Sequence, residues 1–410
     1  MNDLALVLDI GGGTVKLGLS TDSRPSISDN CVYKSKNVSN RQFIGHQVEE
    51  CKNLSSLYGT FPFKKGYISN WEVQKQILDS ILDSFFESKS FAMADLNVIV
   101  TEPYFNFSST KETMNEVFFE DYLVSGLVRT NPAFLSAYKY QREYTQHMSR
   151  YSLVIDSGYS FTHILPVADG KIMKDFSLRL SIGGKILTNR LIEVTSYRQL
   201  DVRSETYIMN QCKEDACYIS KDFWSDLTVS KSKDPSVNSI LCEYVLPDYV
   251  DVHRGYLQKP SNTSLDRNDV ASSQMQNYRL RLANERFTVP ELLFHPSDVG
   301  FLEMGVAEAV AYLISEKLPP SVRPGAWANC LITGGNAKFP GFQERLQIEM
   351  RTSAPIDMPV NVYKPQNPQS FAWQGGALLA SQPDLSHFLV TRKDYEENGH
   401  AYCEARFPVT

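Results

Sequence analysis

No apolar run in this chain approaches the ~18 residues that a membrane-crossing helix needs, which excludes a helical span. There is no Cys-x-x-Cys pair, and the seven cysteines are an odd number. That usage fits a reducing compartment better than a disulfide framework. Cys212 and Cys217, the nearest pair, read as buried thiols. No dense block of Lys and Arg is present, the formal charge is −6, and the pI is near 5.7. A free-standing nucleic-acid binder carries a basic domain or stripe, so any contact with DNA is expected to be lent by partners. The N-terminus starts Met-Asn-Asp and carries Asp9 inside its apolar stretch, unlike a signal peptide. The expectation is a soluble intracellular protein.

What is present is ordinary globular composition: 410 residues, 42% hydrophobic and 21% charged, long enough for two or more core-forming units. Leu4 to Asp9 is a short apolar strand that runs into Gly11, Gly12 and Gly13, and Thr14 to Ser20 alternates as a second strand of a Gly-turned hairpin. Tyr151 to Val167 repeats the pattern: Leu6-Val7-Leu8-Asp9-Ile10-Gly11 is answered by Leu153-Val154-Ile155-Asp156-Ser157-Gly158. An internal duplication at this spacing is far too long for a solenoid and predicts two similar lobes that face one another. Between the hairpins, Val73, Ile77, Ile81 and Phe85 recur every four residues and predict a helix over 71–86, with Ser69 and Glu72 at capping-box spacing. Leu96 to Val100 reads as a buried strand ending at Thr101-Glu102-Pro103. Further on, 298–318 reads as helical and closes at Pro319-Pro320. Leu331 to Gly335 is a strand meeting a Gly-Gly turn, and a helix is predicted over 341–351.

A Gly-rich turn presents several backbone N–H groups to one point because no Cβ blocks the approach, and such nests bind phosphate oxygens. Two nests from opposed lobes could clamp a polyphosphate. Lys16 could neutralise its charge, and Asp9 and Asp156, at strand ends, could orient the water shell of a magnesium ion. A single Asp-x-Gly between strands is mostly good turn chemistry. The duplication, Lys16 and the Gly334-Gly335 turn reverse that balance. His163, inside the second hairpin, reads as a core residue rather than a catalyst, and Lys213-Glu214-Asp215 alone would be a solvated helix face.

The string from Asn284 to Phe294 (Asn-Glu-Arg-Phe-Thr-Val-Pro-Glu-Leu-Leu-Phe), followed by Pro296-Ser297, resembles the actin superfamily closely. Gly66-Tyr67-Ile68-Ser69-Asn70-Trp71, Leu331-Ile332-Thr333-Gly334-Gly335 and Phe339-Pro340-Gly341 resemble it too. The likeness covers nearly the whole chain. Within the superfamily the chain resembles a nuclear class of actin-related proteins, through Thr101 to Asn106, Arg150 to His163, Ser196 to Leu200 and Lys213 to Tyr218.

The resemblance implies an α/β, actin-type duplicated fold, shared with hexokinases and chaperone ATPases, with two lobes of two subdomains and a central nucleotide cleft. The outer lobe would take residues 1–138 and 372–410, with a small upper subdomain at 31–68. The inner lobe would take 139–371, with its upper subdomain at 184–289 and a polar insertion at about 248–279. Gly11, Gly12, Gly13, Thr14 and Lys16 would form the first phosphate loop and Gly158, Tyr159 and Ser160 the second. Gly184, Lys213, Glu214, Gly334, Gly335 and Asn336 would surround ribose and adenine, with Asp9 and Asp156 holding hydrated Mg and ATP or ADP as the nucleotide.

Three departures from the family pattern point away from hydrolysis. Gly12 stands where actins place a Ser hydroxyl near the terminal phosphate. Bulky Tyr159 stands in a loop that is normally small and acidic. Seven residues on from Pro132, where the family positions its attacking water with Gln, stands Lys139. Phosphoryl transfer rests on positioning and electrostatics, so hydrolysis is expected to be weak or lost and no residue is expected to be catalytic. The 40–60 segment is shorter than the loop that joins subunits in actin filaments, which predicts no filament.

The insertion between Pro247 and Ala283 replaces a short hairpin and could order on a partner. The class implies a structural subunit of a SWR-type chromatin remodeller that exchanges a core histone for its variant. Its expected partners are the motor subunit and a small zinc-binding subunit, with nucleosomal DNA contacted only inside the complex, no membrane contact, and residence in the nucleus and also the cytoplasm. The competing readings are an active actin-like ATPase that controls assembly, and a sugar kinase or chaperone ATPase lobe. The kinase lacks an obvious sugar-site base here, and the chaperone would need a substrate domain beyond Thr410.

Overall fold

The computed structural model describes residues 4–35, 41–51, 57–143, 150–232, 237–248, 252–259 and 279–408. Its frame is a pair of sheets built the same way. In the first, strand Ala5–Ile10 turns at the glycines into antiparallel Thr14–Leu19, with Leu8 opposite Leu17 and Asp9 opposite Lys16. Asn97–Thr101 then runs parallel to the first strand on its other side, and Gly126–Thr130 parallel to that. In the second sheet Tyr151–Ser157 turns into antiparallel Thr162–Ala168, with Asp156 opposite His163. Cys330–Thr333 and Val362–Tyr363 add in parallel on the far side. The duplication in the sequence is therefore a duplication of topology, and in register Lys16 and His163 are counterparts. The central strands are near-continuous Leu, Val and Ile because helices cover the sheets.

Helix Phe371–Ala380 packs on helix Pro132–Glu143 and on the first sheet, where Trp373 donates its Nε1–H to the Val7 carbonyl at 3.1 Å. Strand Val390–Thr391 brings the C-terminal segment back to pair with Gly126 and Leu127. Two three-stranded sheets rise above the frame. One joins Val32–Ser35, Gln42–Ile44 and Leu57–Thr60, and the other joins Cys242–Val245, Tyr256–Gln258 and Arg279–Leu282. Two strands thus lie inside the segment read as an insertion, whose interior at 260–278 falls outside the described residues.

Helix Trp71–Phe86 forms over the predicted residues, but its cap is Asn70, whose side chain accepts from Val73 N–H. Ser69 donates instead to the Pro62 carbonyl at 3.1 Å. The stretch 298–318 is not one helix. A short 3₁₀ turn ends at Gly300 with φ 87°, and the helix proper begins after Gly305, running Val306–Tyr312 and then a widened turn to Lys317. Cys212 and Cys217 are buried free thiols. Among the described residues no helix is long and apolar enough to cross a membrane.

Candidate nucleotide cleft

The two hairpin turns face each other across a cleft of about 880 Å³. Every residue singled out in the sequence for nucleotide or metal lines it: Asp9, Gly11 to Thr14, Lys16, Asp156, Gly158 to Ser160, Gly184, Lys213, Glu214 and Gly334 to Asn336. Each turn is tightened in the same way. Gly11 N–H donates to the Thr14 carbonyl at 3.0 Å and Gly158 N–H to the Phe161 carbonyl at 2.9 Å, leaving Gly12-Gly13 and Tyr159-Ser160 as the tips. Gly334 takes φ 90°, and a Cβ there would stand 2.3 Å from the Ser157 carbonyl, so only glycine closes that wall. Asn336 locks the second turn by donating to Ser157 Oγ at 3.1 Å and to the Gly158 carbonyl at 2.9 Å.

The two carboxylates are held differently. Asp9 is buried and ion-paired to Lys16 at 3.1 Å while accepting from Thr101 Oγ1 at 2.8 Å. Asp156 accepts from the Tyr104 hydroxyl at 2.8 Å. Removal from water raises its carboxyl above the ordinary range, and the Asp9 charge adds to that, against the pull of Tyr104 and Lys16. Among the described residues no group of three or more His, Cys, Asp or Glu could ligate a bare cation. Two carboxylates beside the two facing turns fit a magnesium ion that keeps most of its waters. Lys213 is not on a solvated face: it is buried and donates to the Gly184 carbonyl, Thr188 Oγ1 and Asn210 Oδ1 at 3.2, 2.9 and 2.8 Å. It therefore ties the two helices of that cleft wall together, while Glu214 accepts from Asn210 at 2.9 Å.

Several cleft residues were not singled out from the sequence as site residues. Tyr104 follows strand Asn97–Thr101 of the first sheet, whose last residue holds Asp9 from behind, and the carboxyl ends of such strands are where α/β folds place ligands; that position was the available signal. The others lie across the cleft, where sequence gives no distance. Phe61 stacks on Tyr159 with centroids 5.9 Å apart, Tyr33 meets Tyr207 edge-on at 5.3 Å, and Arg179 donates to the Tyr67 hydroxyl at 2.9 Å. Lys139, at the water-positioning place, is absent from the cleft lining and pairs with Glu143 at 2.6 Å; Pro132 and Ser136 of the same helix line the wall instead.

His163 packs against Tyr104 at 4.4 Å and faces Phe105, Phe161 and Arg179. Loss of water, helped by Arg179, lowers its pKa from 6.5 to about 3. The folded ring is thus neutral, whereas the unfolded chain takes up a proton below pH 6.5. Stability from this group is whole above that pH and falls as the pH drops towards 3, by at most about 1.4 kcal/mol per pH unit. His163→Phe is expected to flatten that fall in urea unfolding at pH 7, 6 and 5; an unchanged slope would contradict the assignment.

The two-hairpin frame with a cleft between its turns defines a class, and sequence comparison agrees: the chain belongs to the actin family, whose model (Actin) matches residues 2–408. Within that family it is similar to actin-related protein 6 of Drosophila melanogaster, at 39% identity over 97% of this chain and 98% of that protein. It is also similar to actin-related protein 6 of Arabidopsis thaliana (32%; 98% and 99% covered) and of Dictyostelium discoideum (31%; 99% and 94%). The α/β actin fold and the likeness to this class, both expected from the sequence, are shown. Actin-family proteins in general bind nucleotide with a divalent metal.

Proposed function

We propose that this chain is a nucleotide-holding structural subunit of a SWR-type ATP-dependent chromatin-remodelling complex that exchanges a core nucleosomal histone for its variant. In this reading it braces the motor, docks a small zinc-binding subunit, meets DNA only within the assembly, and works in the nucleus with a cytoplasmic pool. The bound species is ATP or ADP with Mg, held by the residues of the two turns and the walls around them. Full-length likeness to actin-related protein 6 of animal, plant and amoeba supports the scaffold half. The observation that carries the non-hydrolytic half is Lys139, turned into an ion pair with Glu143 where a water-orienting side chain would have to face the cleft. A tagged pull-down from nuclear extract tests the scaffold, comparing the intact chain with one lacking 261–273. Recovery of a remodelling motor is expected. Recovery of the protein alone would favour the alternative, an autonomous ATPase or filament.

The aromatic contacts across the cleft give this reading a kinetic signature. Phe61, just past strand Leu57–Thr60 of the small upper sheet, covers the Tyr159 side of the phosphate turns, with Lys185 5.8 Å from its centroid. Such a pair contributes about 0.5–1.5 kcal/mol beyond its burial. Phe61→Ala is expected to speed release of a fluorescent ATP analogue by roughly two- to tenfold, read by displacement in a stopped-flow instrument. An unchanged release rate would mean that the stack does not gate the nucleotide.

A further inference from the structure

The inner turn reaches the outer one with two side chains. The Tyr159 ring lies over Gly13, where an added Cβ would come within 2.9 Å of it, and the Ser160 hydroxyl lies over Gly12, where an added Cβ would come within 2.8 Å. The outer tip is thus bare of side chains because the inner tip fills that space. The two hydroxyls at the turns differ in commitment. Thr14 Oγ1 accepts from Gln369 Nε2 at 3.5 Å, whereas Ser160 Oγ has no hydrogen-bond partner among the described residues. Both residues line the cleft between the tips. An uncommitted O–H placed between two N–H-rich turns is a donor aimed at whatever anion those turns hold.

We propose that Ser160 is the phosphate-binding hydroxyl of this cleft, delivered by the inner turn, and that Gly12 is glycine because that hydroxyl occupies its side-chain space. The inference rests on the nucleotide reading above. It makes residues 12 and 160 one unit. An alanine at 12 would push the Ser160 hydroxyl out of the gap by rotating it, without touching the rest of the turn.

The test measures binding of fluorescent ATP and ADP analogues to wild type, Ser160→Ala, Gly12→Ala and the double variant, each checked by thermal melting without nucleotide. A hydrogen bond to a charged group supports about a tenfold loss of ATP-analogue affinity in Ser160→Ala, with the nucleotide-free melting temperature unchanged. Gly12→Ala is expected to lose a similar factor. The double variant should lose about tenfold rather than the roughly hundredfold of independent sites. Wild-type affinity in Ser160→Ala, or a double variant that loses the product of the two factors, would overturn the assignment. Wild type that binds neither analogue would instead remove the nucleotide reading and this inference with it.

Discussion

Arg345→Ala is expected to destabilise the second sheet's half of the protein by about 3–5 kcal/mol, the usual result of stranding one member of a buried ion pair. Arg345 meets Glu291 with both ends of its fork, at 2.9 and 3.4 Å, and donates to the Ser220 carbonyl at 2.8 Å. It also contacts Glu349 and lies over the Phe294 ring. Burial pushes the Glu291 carboxyl above its ordinary range even though Arg345 and His295 pull it down. Without the guanidinium, Glu291 keeps only His295 among the described residues, at 2.8 Å, and is left desolvated. The cost should appear as an earlier urea transition. A control separates the loss of a partner from the worth of the pair: Glu291→Leu with Arg345→Met should regain most of the stability, because apolar replacement of a whole buried pair is often neutral. A single variant as stable as wild type would show that the pair is more hydrated than its geometry implies.

Removing the nucleotide should have an effect of similar size. A ligand that binds only the folded state at ~1,000 times its dissociation constant stabilises it by about 4 kcal/mol. Here the bound molecule would bridge turns from both sheets. A magnesium ion held with it would also offset the charge of the two carboxylates, of which Asp156 is raised chiefly by burial with the Asp9 charge adding to it. Protein stripped by a chelator and a nucleotide-degrading enzyme is therefore expected to melt several degrees lower, with recovery on adding Mg and ATP or ADP. An identical melting temperature before and after stripping would mean that the cleft is vestigial.

Much of the frame was legible because its signals are local. The Asp-x-Gly hairpins, the four-residue period of helix 71–86 and the strands at 97–101 and 330–333 depend on neighbours in sequence. The Asn284–Phe294 string is informative for a physical reason. Glu285 accepts from Ala283 N–H and pairs with Arg198, Arg286 Nε donates to the Ala216 carbonyl, Phe287 and Leu292 are buried, and Glu291 takes Arg345. Few of those side chains could change alone. The errors have physical causes as well. Ser69 and Asn70 are both good caps, and only the position of the Pro62 carbonyl decides between them. Apolar spacing ran straight through Gly300 and Gly305, but the first is left-handed and the second passes so close to the Phe294 carbonyl that a Cβ would overlap it at 1.6 Å. Lys213 looked solvated because its acceptors come from residues 184, 188 and 210, two of them on another helix. Phe61 on Tyr159 and Ser160 over Gly12 were invisible for the same reason: each is a distance between segments far apart in the chain.

The central claim is that this cleft holds a nucleotide and does not turn it over at an actin-like rate. Its most direct test loads the purified protein with Mg and γ-labelled ATP, separates the free nucleotide, and follows label release beside filament actin as a reference. Label is expected to stay with the protein, and phosphate to be released far more slowly than from the reference. Release at a comparable rate would contradict it, and would return Lys139 and Tyr159 to being tolerated substitutions in a working ATPase.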